Sequence, residues 1–213
     1  MEKNKKTKFS INTLIKIAML SVIAMILMKL EFALTFLFPS FLKLDISDIP
    51  ALLGGLALGP VSGVLILLFK NILKIIVFGT GTAGVGEIAN FTVGVFLVFI
   101  ASFMYDKKKN VKSLILGLVI GTIVMSLAAG ILNYYVFIPL YAKGMGAPID
   151  AFVQFAKKVN HNVVDFKTLI YWAIIPFNLL KGLIVSSVYL VLHKSLNPII
   201  QKERIKSKNK ISA

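Results

Sequence analysis

Residues 48–78, DIPALLGGLALGPVSGVLILLFKNILKIIVF, decide the fold. The stretch is apolar enough to lie in hydrocarbon, yet it is too long for one crossing of ~20 residues. Gly59-Pro60 stands in its middle. A residue before proline is pushed out of the helical region, so the pair reads as a break. The first piece, 49–59, then rises only ~17 Å, short of a hydrocarbon core of ~30 Å. Whether 48–78 crosses a membrane once or twice fixes the topology of the whole chain.

Outward from this stretch lie four clearer spans. Residues 11–30 (INTLIKIAMLSVIAMILMKL), 86–105, 113–138 and 168–193 are long and apolar, and the third of these is long enough to tilt. Charge settles the count. Basic residues gather in an N-terminal tail (Lys3, Lys5, Lys6, Lys8, Lys16), a central run (Lys107, Lys108, Lys109, Lys112) and a C-terminal tail (Lys194, Lys202, Arg204, Lys206, Lys208, Lys210). If 48–78 crossed once, the N-terminal tail would face one side and the other two segments the opposite side. If it crosses twice, all three face the same side. Cytoplasmic flanks are enriched in Lys and Arg, so the pattern predicts six transmembrane helices with both termini cytoplasmic. Local bilayer thinning or burial within the bundle accommodates the short second span.

The expected organisation is an all-α integral membrane protein in the bacterial plasma membrane. A basic tail (1–10) precedes one six-helix membrane domain (11–195), and a second basic tail (196–213) follows. Three connections, 31–47, 79–85 and 139–167, fall outside. The last is long enough to read either as a lid over a pocket or as a solvated linker. The basic start leads into a full-length span without an A-x-A-like site, so this span is expected to remain in the mature protein.

Composition removes the other classes. The chain has 213 residues, 57% of them hydrophobic and 15% charged, with mean hydropathy +0.86. A soluble domain is ~45–50% apolar. There is no cysteine, and two histidines and nine carboxylates leave little for a metal centre. Net charge +15 would suggest nucleic acid in a soluble protein. Here it flanks the spans, where it meets anionic lipid head groups instead. No GxxxxGK[ST] phosphate loop is present. No catalytic constellation is visible, so an enzyme is not expected.

Polar residues at membrane depth are costly and tend to face a cavity or a partner. The set here is Lys70, Asn71, Lys74, Glu87, Asn90, Asn133, Asn178 and Lys181. Glu87 and Asn90 share a helix face by their i,i+3 spacing, as do Asn178 and Lys181. Pro176 frees backbone carbonyls just ahead of Asn178. Amides offer donors and an acceptor, and lysine offers donors only. That mixture suits a flat neutral heterocycle with carbonyl, imide and hydroxyl groups better than a bare ion. Structural readings stand beside this one. Lys181 could snorkel or pair with Glu87, Lys70 and Lys74 could lie at the outer interface, and the asparagines could be interhelical glue. Asp45 and Asp48 could serve only a helix start at Ser47. Ala18, Ser21 and Ala24 form a small-residue stripe on the first span, compatible with packing inside the chain or against a partner.

Four runs then carry a resemblance. LKLDISDIPALLGGLALGPVSGVLILLFKN (42–71), GTAGVGEIANFTVGVF (81–96), ILNYYVFIPLY (131–141) and PFNLLKG (176–182) resemble, in order and interval, the riboflavin-specific S-components (RibU type) of energy-coupling factor (ECF) transporters. The similarity spans 13–193. It implies a membrane subunit that captures riboflavin from outside. Such a subunit works with a coupling transmembrane subunit and two ABC ATPases, and topples in the bilayer to present its pocket inside. No cofactor is implied, because the flavin is the transported substrate.

Carried over residue by residue, the resemblance places the flavin-contacting asparagine of the fifth helix at Asn133. The asparagine and lysine of the sixth helix fall at Asn178 and Lys181. It implies a gate around Phe41, Leu44 and Asp45, and puts Glu87 and Asn90 in a matching motif. An A-x-x-x-A-like docking stripe on the first helix is not matched: Val22 stands four residues after Ala18, and the small residues sit at 18, 21 and 24. The alternatives are an S-component for thiamine or a folate, and a stand-alone secondary carrier. The latter would show paired broken helices, of which only one is visible.

Overall fold

A computed structural model describes residues 10–211, with side chains described through Ile205. The basic residues Lys3, Lys5, Lys6 and Lys8 lie outside the described residues. Helix α1 (Ile11–Lys29) is started by Ser10, whose hydroxyl accepts from the Thr13 N–H. It is followed by α2 (Asp48–Leu58), α3 (Pro60–Phe78), α4 (Val85–Lys108) and α5 (Val111–Leu132). Then come α6 (Ile138–Met145), α7 (Ile149–Lys157), α8 (Phe166–Leu169) and α9 (Ile175–Ile211). Among the described residues five helical stretches are long and apolar enough to cross a membrane: Ile11–Lys29, Pro60–Phe78, Val85–Lys108, Val111–Met145 and Phe166–Ile205. The sixth apolar helix, α2, has 11 residues.

The expected break falls where proline chemistry places it. Gly59 has φ +104, a conformation that side-chain-bearing residues rarely adopt, and Pro60 occupies the first turn of α3. Helices in lipid have little hydrophobic drive to associate, so they pack through small residues. At Gly63 a Cβ would lie 2.7 Å from Val98 Cγ1 and 3.0 Å from Gly55 Cα, so only glycine permits the α2–α3 approach. The buried face of α1 is Ile17, Ser21, Ala24, Met25 and Met28. Ser21 and Ala24 are thus consumed by packing within the chain, and of the small-residue stripe only Ala18 is exposed. The docking role expected of Ser21 and Ala24 finds no free surface.

Two π-helical turns interrupt the last long stretches. Asn133–Phe137 lies just ahead of Pro139, and Ile170–Ile174 just ahead of Pro176. Proline cannot donate to the carbonyl four residues back, and a wider turn accommodates the missing bond. For Pro176 that carbonyl belongs to Trp172, which the Asn160 amide approaches at 3.5 Å. The π turns rotate the helices where Asn133 begins one and Asn178 follows the other.

The connection 139–167 is largely helical, not an irregular loop. The helix continues to Met145 and stops at Gly146, φ +63. The amphipathic α7 then lays Phe152, Val153 and Ala156 inward and Asp150 and Lys157 outward. Connection 31–47 is pinned by an antiparallel pair, β1 (Phe32–Ala33) and β2 (Lys43–Leu44), and by a Lys43–Glu31 ion pair at 2.9 Å. At the opposite end of the bundle α9 continues through the stretch read as a tail. There Arg204 donates to the Leu56 carbonyl at 2.7 Å and to Asp106 at 2.6 Å, and Glu203 pairs with Lys16.

Candidate functional site

A two-lobed cavity opens between connection 31–47, the start of α4, the first π turn, α7 and the first turns of α9. The inner lobe has a volume of about 160 Å³ and is lined by Asp48, Asn90, Asn133, Asn178 and Lys181 among others. The outer lobe, about 680 Å³, is walled by Lys29, Phe78 and Phe155. The lobes share Glu31, Phe41, Lys43, Lys74, Thr82, Tyr141 and Phe152. The inner lobe alone is smaller than the ~300–1,000 Å³ typical of small-molecule sites, whereas the outer lobe falls within that range.

The structure gathers Phe41, Glu87, Asn90, Asn133, Asn178 and Lys181 on the inner wall. Asn133 and Asn178 donate through Nδ2 to the carbonyls four residues back, Ala129 at 2.8 Å and Ile174 at 2.9 Å. Their amide oxygens have no hydrogen-bond partner among the described residues. Phe41 packs edge-on against Phe152, with ring centroids 5.3 Å apart, and so ties connection 31–47 to α7. Leu44 and Asp45 do not line the cavity. Leu44 packs beneath it with Phe38 and Phe177, and Asp45 stands behind Lys181.

Charge is matched pair by pair around the cavity. Lys181 bonds Asp45 at 2.8 Å, not Glu87 as one reading of the sequence had it. Glu87 instead takes Lys74, and accepts from Thr80 at 2.9 Å and Thr82 at 3.2 Å. Lys70 and Lys74, readable as interfacial, both point inward. Lys70 is wholly buried and bonds both Asp48 and the Ser47 hydroxyl. Ser47 occupies the position before α2 but caps nothing with its side chain; its hydroxyl and N–H both donate to Asp45. The missed signal was complementarity: Asp45 and Asp48 bracket the start of α2, and Lys70 and Lys74, spaced i,i+4, share a face of α3.

One continuous network results: Asp48, Lys70, Ser47, Asp45, then Lys181 and the Asn90 amide at 3.2 Å. Burial alone would raise the Asp45 carboxyl. The neighbouring charges of Lys181 and Lys70, with hydrogen bonds from Lys181 and Ser47, outweigh it and hold the group well below the ordinary carboxylate value. Lys181 therefore reaches the cavity as an oriented donor on a fixed counter-ion. Among the described residues no three His, Cys, Asp or Glu side chains gather to hold a metal ion.

A buried, charge-balanced polar wall inside an apolar bundle suits capture of a small polar molecule at a membrane. The family described as ECF transporter, substrate-specific component matches residues 12–193. The chain belongs to that family. As a substrate-specific component it is a multi-pass membrane transport subunit and not an enzyme. It is 39% identical over 202 residues to the riboflavin transporter RibU of Staphylococcus aureus, covering 95% of each chain. It is 34% identical over 196 residues to the riboflavin transporter FmnP of Bacillus subtilis, covering 91% of this chain and 96% of that one. A solved structure, described as the S component of a bacterial ECF transporter, matches with TM-score 0.69 and 36% identity over 89% of this chain and 97% of that chain.

Proposed function

We propose that this substrate-specific component binds riboflavin from the outer side of the membrane and delivers it to an ECF module. The module would comprise a coupling transmembrane subunit and two ATP-binding-cassette ATPases. The observation that carries the reading is the shared wall formed by Asn133, Asn178 and Lys181. Amide and ammonium groups there satisfy the imide and carbonyl edge of a flavin, each of which would cost ~1–3 kcal/mol if buried unpaired. Phe41, Tyr141 and Phe152 supply the apolar walls. The names borne by the relatives point to the same vitamin.

The topology that fits is six crossings with both ends cytoplasmic. It is supported by α2 standing as a separate apolar helix and by the distribution of Lys and Arg along the sequence, which six crossings would put on one side. Asp45 acts as the counter-ion that aims Lys181, and Leu44 as packing beneath the gate formed by Phe41. Ala18 marks the exposed face of α1 that would meet the coupling subunit. Uptake of labelled riboflavin in cells or vesicles tests the reading. Uptake should require this chain, the coupling subunit and ATP together. Full uptake by this chain alone would favour a stand-alone carrier and contradict the proposal.

A further inference from the structure

Asp48 opens α2 and lines the inner lobe, and its side chain is 1% exposed. Its Oδ1 receives the Lys70 ammonium. Its Oδ2 is buried without a hydrogen-bond partner among the described residues. Buried polar atoms are nearly always paired, so a carboxylate oxygen left over on a cavity wall asks what it bonds. Lys70 balances the charge and is itself held by Ser47 at 2.6 Å. With Oδ1 fixed in this way, the direction of Oδ2 is fixed too. Gly94 of α4 keeps the space beside it open: a Cβ there would sit 3.4 Å from Oδ1 and 3.6 Å from Oδ2. On the same wall the Asn90 Oδ1 is also buried and unpartnered, because its Nδ2 donates to Asp45.

We propose that Asp48 contacts the ligand directly and sets specificity, with Oδ2 accepting a hydrogen bond from an N–H or O–H donor of the bound molecule. This rests on the riboflavin reading and adds an anionic acceptor to the donors supplied by Lys181. A flavin carries two kinds of donor, the imide N–H and the hydroxyls of the ribityl chain. A carboxylate in a dry site accepts strongly from either, and rejects a molecule that lacks the donor it was built for.

Calorimetric binding in detergent tests this with three probes. They are riboflavin, N3-methylriboflavin (no imide N–H) and lumiflavin (no ribityl hydroxyls). Each is titrated into the unaltered protein and into Asp48→Asn. In the variant Lys70 draws the amide oxygen, so an NH₂ donor turns to the cavity where an acceptor stood. The unaltered protein should bind riboflavin and lose at least about tenfold on one of the two analogues, which identifies the donor. In Asp48→Asn riboflavin should weaken by at least about tenfold and most of that discrimination should vanish. Should Asp48→Asn misfold by leaving Lys70 unpaired, Asp48→Ala combined with Lys70→Met removes the acceptor and both charges and carries the same expectation. Unchanged affinity and discrimination in a folded variant would overturn the role of Asp48 alone. Equal affinity of the unaltered protein for all three probes would do the same. No riboflavin binding by the unaltered protein would overturn the underlying reading as well.

Discussion

Asp45 and Lys181 stand 136 residues apart in the chain and meet at 2.8 Å, buried behind the cavity wall. The pair joins connection 31–47 to the last helix. It makes the orientation of the cavity-lining ammonium depend on a loop carboxylate.

Removing Lys181 should therefore have two separable effects. Lys181→Ala should lower riboflavin affinity at least tenfold, about 1.4 kcal/mol. It should also destabilise the fold by roughly 3–5 kcal/mol, because Asp45 is left as a buried unpaired charge. Lys181→Ala combined with Asp45→Ala should regain much of the stability without regaining affinity. Calorimetry and thermal melting in the same detergent would read both. Wild-type affinity in the single variant would remove Lys181 from the site.

The depressed Asp45 carboxyl sets a pH dependence of definite sign. Its folded value lies below the ordinary carboxylate value, 3.8, so its stabilising contribution is fully present above that value and is lost as pH falls below it. From Asp45, melting temperature and affinity should be flat across roughly pH 5–8. Asp45→Asn should weaken the protein throughout that range. A titration of affinity centred near neutral pH that disappears in Asp45→Asn would contradict the assignment.

The close contact of α2 with α3 should not tolerate a methyl group. Gly63→Ala places a Cβ 2.9 Å from the Ala51 carbonyl oxygen, where backbone and not a flexible side chain must yield. The expected loss is roughly 1–3 kcal/mol, seen as a lowered melting temperature. An unchanged melt would mean that the two helices can part without penalty.

Arg204 should matter for stability and not for binding. It bridges the Leu56 carbonyl at the end of α2 to Asp106 of α4 and lies over the Tyr105 ring, far from the cavity-lining residues. Arg204→Ala should lower the melting temperature while riboflavin affinity stays within about twofold of the unaltered protein. A large change in affinity would show that the two ends of α2 are coupled.

Much of the fold was readable from chemistry that acts locally. Gly59-Pro60 fixed the break between α2 and α3, and the long apolar runs fixed the other helices. The polar residues Asn133, Asn178 and Lys181 were visible because polar groups are rare in such a chain. What local reading could not deliver was pairing. The sequence offered Glu87 as the partner of Lys181, and only three-dimensional packing brings Asp45 there instead. Lys70 looked interfacial because its partner Asp48 lies across a helix break. For Ala18, Ser21 and Ala24 packing inside the chain and docking on a partner both stayed open, because sequence does not say which face of α1 turns inward. The helical character of 139–157 was hidden by Pro139, whose missing hydrogen bond is absorbed by a π turn.

The most direct test of the central claim is the absorbance spectrum and solvent extract of the protein as purified from riboflavin-containing medium, followed by calorimetric titration with riboflavin. A notch built from Asn133, Asn178 and Lys181 for a flavin should give a yellow preparation, an extractable flavin near one per chain, and saturable binding lost in Lys181→Ala. A colourless, folded protein that takes up no riboflavin would contradict it.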